Sequence, residues 1–355
     1  MRKCKVWSMA VAATALVACS GAGGSSDLAR SDEVAAPGEV VAGDARPAAT
    51  SDPTTSPCAS GDRFYATDLG KVIVAEMIAD IPVGSAIADN TSYLTPDGKV
   101  RLYFVASYHS SQPPTPDNGS EANGIHSAVS ADGTTFSLED GLRIPEPAGH
   151  PKLVQLGGDQ IRIFHLVTDG LGSHVAIDGL SFEAEGGVRL KSSDAGMDRV
   201  GGMSVVQTPD GLYRGYFGTL GVPGVPPSET TTMIKSATTS DMLTWAVEAG
   251  VRIGEGAQHV TEKCRQPFAL ARAAGCVTLF FYCIGTLPTR IKYAHTSDGL
   301  NFTEAHELVI DGYTSSAAGP NVQRLPDGSW ILYFDAHDDA DEWHIRAARL
   351  SFAAE

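Results

Sequence analysis

One short pattern recurs five times along the chain and constrains the fold more than any other feature. It consists of an opening, about seven alternating residues, a turn, and a strand that closes on hydrophobic or aromatic side chains. The copies are DNTSYLTPDGKVRLYF from Asp89, HPKLVQLGGDQIRIFH from His150, GMSVVQTPDGLYRGYF from Gly202, QPFALARAAGCVTLFFY from Gln266 and GPNVQRLPDGSWILYF from Gly319. A spacing of roughly 50 to 65 residues belongs to propellers and solenoids. Asp-Gly or a related glycine between two alternating runs specifies a hairpin. Four copies continue into a second turn: SADGTTF at Ser130, IDGLSF at Ile177, TSDMLTW at Thr239 and TSDGLNF at Thr296. Each of these leads to a short fourth strand: LRI at Leu142, VRL at Val188, VRI at Val251 and LVI at Leu308.

Four antiparallel strands per unit make a propeller blade. The expected fold is therefore all-β, a five-bladed β-propeller over residues 61–355. A seven- or eight-stranded sandwich or a six-bladed ring would not account for five matching openings and four matching second turns. The fifth unit runs out at its third strand, HIRAARLSF from His344. Upstream, KVIVAEMI at 71–78 is expected to add the missing outer strand and close the ring, which also removes an exposed sheet edge.

The first residues read as a leader. Arg2, Lys3 and Lys5 precede a short apolar run, and LVAC at 16–19 ends it. The run is too short to span a bilayer as a stable helix. LVAC resembles a bacterial lipobox, which implies a signal peptide at 1–18 and lipidation of Cys19. The serine that follows looks like an outer-membrane address in a diderm bacterium. Residues 19–60 are small and polar, with little apolar surface to offset ordering entropy, and read as a disordered tether. The expected location is the cell envelope, held by lipid.

A formal charge of −16 argues against nucleic acid and anionic membrane surfaces as partners, since both select basic patches. Membrane contact is expected through the lipid anchor only, and the protein is expected to be a monomer. Export favours disulfides among Cys58, Cys264, Cys276 and Cys283. Folding Gln266–Arg272 back onto Cys276–Cys283 puts Cys264 nearly opposite Cys283, the pair expected to bridge; partners for Cys58 and Cys276 stay open.

The second-turn motif, S-x-D-G-x-x-F at Ser130 to Phe136 and S-D-G-x-x-F at Ser297 to Phe302, resembles the turns of carbohydrate-active propellers. Together with five blades, it is similar to the arabinanase, levansucrase and invertase superfamily, the family-43-like glycoside hydrolases. The resemblance covers residues 63–355. It implies carboxylates at the openings of inner strands, pointing into a central funnel, because glycosidic cleavage needs one group to protonate the leaving oxygen while another activates the attack. Here the opening residues are Asp89, His150, Gly202, Gln266 and Gly319. Asp89 matches the family's first-blade aspartate, whereas its third-blade aspartate falls on Gly202 and its fourth-blade acid on Arg265. Asp198 and Glu262 are the nearest acids upstream of those two positions.

The exits of second strands and the starts of third strands should line the same rim. They place His109, Tyr108, Asp335, His337, Tyr282 and Trp343 there beside His150 and Arg265. Sugars call for such mixtures of donors, acceptors and rings. The acidic loop DAHDDADEWH at 335–344 has oxygens suited to calcium but lacks the EF-hand order. The resembling family sometimes holds a metal near a last-blade histidine, where His337 would stand. No Walker loop, nucleophile elbow, HExxH or dinucleotide fingerprint occurs, so no cofactor other than calcium is in view. The leading expectation is an envelope lipoprotein that binds carbohydrate in its funnel. The alternatives are a glycoside hydrolase with Asp89 as base and Glu262 or Asp198 as acid, and a scaffold for protein–protein interaction.

Overall fold

The structure is a computed structural model that describes residues 52–353, apart from 60, 79–85, 108–123, 146–147, 158, 222–231, 286 and 339–342. The leader, Cys19, most of the expected tether, Tyr108 and His109 lie outside the described residues. The fold is all-β. Blade 1 comprises Ala86–Leu94, Val100–Ser107, Ile125–Ser130 and Ser137–Leu138; blade 2 comprises Lys152–Gly157, Gln160–Val167, Gly170–Ala176 and Glu183–Lys191. Blade 3 comprises Arg199–Gln207, Tyr213–Leu220, Met233–Thr239 and Ala246–Val247, with Ile253–Gly254 beside it; blade 4 comprises Cys264–Ala271, Val277–Cys283, Arg290–Thr296 and His306–Glu307. Blade 5 comprises Ser316–Arg324, Trp330–His337, Trp343–Ala353 and, from the start of the chain, Arg63–Ile73. The inner strands of successive blades touch, and blade 5 touches blade 1, so the sheets form a five-bladed ring.

The closing strand begins earlier than the sequence predicts. It pairs antiparallel with the last strand from Arg63↔Ala353 to Ile73↔Ile345, so only 71–73 of the expected 71–78 take part. Residues 75–77 form a turn of 3₁₀ helix instead. Only Phe64, Ala66, Val72 and Ile73 of this strand are buried, and so sparse an apolar signal is easily missed.

Blade packing explains the repeat. Second strands lie between neighbouring blades and are covered on both faces, so they read as continuous apolar runs; every residue of VTLFFYC in blade 4 is buried. The apolar core consists of five clusters, one at each junction between blades. At four junctions the aromatic residue that ends a second turn meets the second-strand aromatic of the preceding blade edge to face. These pairs are Phe136 on Tyr333, Phe182 on Tyr103, Trp245 on Phe164 and Phe302 on Tyr216, with ring centres 5.7 to 5.9 Å apart. Blade 5 has no such turn, and Phe64 of the closing strand packs edge-on against Phe280 of blade 4 at 5.0 Å.

The same turns latch the blades by hydrogen bonds. Tyr103, Tyr216 and Tyr333 donate to the carbonyls of Gly179, Gly299 and Gly133 at 2.7 to 2.9 Å. Within blades 1 to 3, an arginine of the second strand, a serine of the third and a glutamate at the fourth form one recurring cluster. These are Arg101–Ser127–Glu139, Arg162–Ser173–Glu185 and Arg214–Ser236–Glu248. They hold fourth strands that in blades 1 and 3 are only two residues long.

Residues 52–59, within the expected tether, are fixed to blade 4. Arg272 donates to the carbonyls of Pro53 and Pro57 and to Ser56 Oγ, and its guanidinium pairs with buried Asp62 at 2.6 Å. Cys58 is disulfide-bonded to Cys276, and Cys264 to Cys283, its register partner, with an S–S distance of 2.09 Å. Polar and covalent links anchor this segment rather than apolar burial, which is why composition alone read it as free.

Arg272→Ala strips a buried carboxylate of its counter-charge and should cost about 3–5 kcal/mol, read as a lowered Tm; an unchanged Tm would contradict that role. The Cys58–Cys276 bridge spans 218 residues and Cys264–Cys283 only 19. In the chain-entropy view they contribute about 5 and about 3 kcal/mol, so the Cys58→Ala/Cys276→Ala pair should lower chemical-denaturation stability more than Cys264→Ala/Cys283→Ala.

Candidate functional site

Inner strands crowd together at the axis, and four of the five relieve the crowding by an irregularity near the opening. Pairing with the second strand skips two residues between Ala88 and Thr91, Val200 and Met203, Arg265 and Phe268, and Ala318 and Asn321. The first skipped residues are Asp89, Gly201, Gln266 and Gly319, so the blade 3 equivalent of Asp89 is Gly201, one residue before the Gly202 expected from sequence. In blade 2, His150 stands just ahead of the inner strand. Asp89, His150, Gln266 and Gly319 have φ of 60°, 50°, 51° and 50°. A positive φ is uncommon for non-glycine residues and costs of order 1–3 kcal/mol, so three such side chains meeting at one place define the candidate site.

Those three side chains form one network. Asp89 Oδ1 lies 2.9 Å from His150 Nδ1 and also accepts from Gln266 Nε2, while Asp89 Oδ2 accepts from the His150 backbone N–H at 3.2 Å. Gln266 Nε2 lies 2.8 Å from His150 Nδ1. Burial would raise the Asp89 carboxyl, but His150, its hydrogen bonds and Lys152 outweigh this and hold it at about 2. Asp89 is an ionised acceptor, fixed by blades 2 and 4.

A second carboxylate lies beneath it. Asp335, from the second strand of blade 5, is buried; it accepts from the Asp89 backbone N–H at 3.0 Å and from Asn90 Nδ2 at 2.8 Å. It fills the space that an opening side chain of blade 5 would take, since a Cβ on Gly319 would lie 1.9 Å from Asp335 Oδ2. Burial and the charge of Asp89 push Asp335 up to about 7. Lys152, also buried, donates to the carbonyls of Asn90 (3.2 Å) and Pro320 (3.5 Å); burial lowers its pKa, with Asp335 and Asp89 acting in the opposite sense. Asp335 thus supports Asp89 from below and does not line the rim.

Arg265 stands at the mouth of the same cluster and donates from Nε to the Tyr282 hydroxyl at 2.5 Å. Burial pushes Tyr282 up to about 12, with Arg265 partly offsetting it, so the hydroxyl stays neutral. A pocket of ≈ 80 Å³ opens here, lined by His150, Leu166, Arg199, Gly201, Thr219, Arg265 and Gln266 among others.

The remaining expected residues stand elsewhere. Glu262 is exposed and bound by Lys292 Nζ at 2.6–2.7 Å. Asp198 is exposed, and its carboxylate lies against Gly221. Neither has a hydrogen bond to the Asp89 network. His337 is half-buried, with its ring 4.9 Å from that of Trp343. Of the acidic loop, Asp338 pairs with Lys71 at 2.7 Å and Asp335 belongs to the axial cluster. Glu262, Cys264 and Cys283 come together, but the bridged sulfurs are not free to ligate metal. The sequence reading passed over Lys152, Asn90 and Arg199 and gave the opening residue Gln266 no role of its own; the available signal was a lysine inside the inner strand HPKLV and a glutamine at an opening position.

No protein-family model matches the sequence, and no curated protein matches it. Solved structures share the fold. The β-1,2-mannobiose phosphorylase from Listeria innocua superposes with a TM-score of 0.57 at 11% identity, covering 81% of this chain and 96% of that one. The endo-arabinase from Bacteroides thetaiotaomicron gives 0.56 at 12% identity, over 76% and 96%. Zg3597, a family 117 glycoside hydrolase of the marine bacterium Zobellia galactanivorans, gives 0.52 at 13%, over 82% and 90%. The chain thus has the five-bladed propeller fold of these structures.

A raised folded-state pKa makes Asp335 favour folding at low pH, and that contribution is lost as pH rises from the ordinary carboxylate range through about 7. Tm should therefore fall between pH 5 and pH 8 in the native protein, and Asp335→Asn should flatten that slope. An equal slope in the variant would remove Asp335 as its cause.

Proposed function

We propose that the protein binds a saccharide at the mouth of its axial funnel and does not hydrolyse it. The arrangement of Asp89 carries this reading: both carboxylate oxygens are already engaged by His150 and Gln266. A glycosidase of the usual kind needs two working carboxyl groups about 5 to 10 Å apart with room for a sugar between them. Among the described residues, the other carboxyl of this network is Asp335, which is buried behind Asp89 and tied to Asn90. Donors and acceptors at the mouth, namely His150, Gln266 and Arg265, suit sugar hydroxyls. The likeness to propellers whose names are those of carbohydrate-acting enzymes supports a carbohydrate ligand.

We further propose that Cys19 carries a lipid that holds the propeller at the cell envelope, read from LVAC at 16–19. Labelled palmitate should enter the native protein and not Cys19→Ala.

Binding to a glycan array and turnover of chromogenic glycosides test the main proposal. Gln266→Gly removes the carboxamide without adding strain at a positive φ, and Asp89→Asn removes the charge while keeping a residue that tolerates this conformation. Each should weaken saccharide binding about tenfold or more, equivalent to about 1.4 kcal/mol. No glycoside should turn over above the buffer rate. Turnover by the native protein that Asp89→Asn abolishes would establish the hydrolase reading instead.

A further inference from the structure

The pocket beside the axial cluster has an unusual charge for this molecule. The chain as a whole carries −16, yet the lining brings together Arg199, Arg265 and His150 and, among the described residues, includes no carboxylate. Two described acids close to it in sequence or in space are engaged elsewhere. Asp89 sits behind His150 and Gln266, and Asp198, next to Arg199 in sequence, lies against Gly221. Arg199 makes no side-chain hydrogen bond or ion pair among the described residues. Arg265 uses Nε on Tyr282, and its terminal nitrogens have no hydrogen-bond acceptor among the described residues. Several arginines elsewhere in the molecule are tied to acids: Arg101, Arg162, Arg214 and Arg272 each hold a carboxylate. A larger cavity of ≈ 300 Å³ lies at the outer edge of blades 4 and 5, but its arginine, Arg290, is occupied by the carbonyls of Thr314 and Ser315.

We infer that this pocket receives an anionic substituent, a carboxylate or a sulfate, carried by the saccharide bound at the funnel mouth. Its volume of ≈ 80 Å³ is well below the roughly 300–1,000 Å³ that encloses a whole small ligand, so it fits one substituent rather than a sugar ring. An arginine fork matches a planar carboxylate with two parallel hydrogen bonds and also serves a sulfate. Gly201, Gly202 and Gly218 contribute small walls to the pocket. The inference rests on the proposed saccharide binding and specifies its class.

The test compares three probes on the full chain by calorimetry: oligogalacturonates, the same oligomers fully methyl-esterified, and sulfated galacto-oligosaccharides. A glycan array rich in other uronates and neutral sugars extends the range. The acidic form should bind at least tenfold more tightly than its neutral ester, weaken as NaCl is raised, and lose at least tenfold in Arg199→Gln and in Arg265→Gln. Arg199 is exposed, so its variant should keep the native Tm and report on binding alone. Preference for the uronate or for the sulfate would each support the inference and identify the anion's source. Neutral sugars bound as tightly as acidic ones, with both arginine variants unaffected, would overturn it and leave saccharide binding intact. No binding to any saccharide would overturn both.

Discussion

Five inner strands converge on one axis, and the lack of room there governs the rest of the structure. Four of the strands break their pairing near the opening, and the opening side chains turn toward the centre. Where that side chain stays, as at Asp89, His150 and Gln266, the backbone holds a positive φ. Where a neighbour needs the space, glycine replaces it, as Gly319 does for Asp335. The strained conformations persist because the three side chains hydrogen-bond one another and because Lys152 and Asp335 fill the layer below. Packing and site are thus the same set of contacts.

That centre exists only if the ring is closed. Its groups come from blades 1, 2, 4 and 5, and the last of these is completed by a strand from the start of the chain. Arg63–Ile73 pairs along the final strand, Phe64 seals the junction with blade 4, and Arg272 with the Cys58–Cys276 bridge fastens the segment just before it. Closure here rests on a few buried polar and covalent links, since the closing strand buries little apolar surface of its own.

Much of this was legible in the sequence. The repeated openings and Asp-Gly turns specify five blades, and the aromatic that ends each second turn is the residue that packs on the blade before. The positions where side chains enter the axis were legible too, except that pairing assigns Gly201 rather than Gly202 in blade 3. What was not legible depends on which strand passes beneath which. Nothing local to Asp335 tells that it lies under Gly319 and Asp89, and nothing local to Glu262 tells that Lys292 holds it. Such relations join residues up to 246 apart in sequence, and spacing arguments do not reach them.

The proposed lack of hydrolysis rests on the same geometry. The openings of blades 3 and 4 carry glycine and glutamine rather than acids, and the glutamine satisfies the aspartate. The most direct test of this account is a crystal structure of the protein with a saccharide bound. The account predicts an intact sugar at the mouth, in contact with His150, Gln266 and Arg265, with Asp89 still paired to His150. A sugar on another face, or one whose anomeric carbon lies between Asp89 and a second carboxylate, would contradict it.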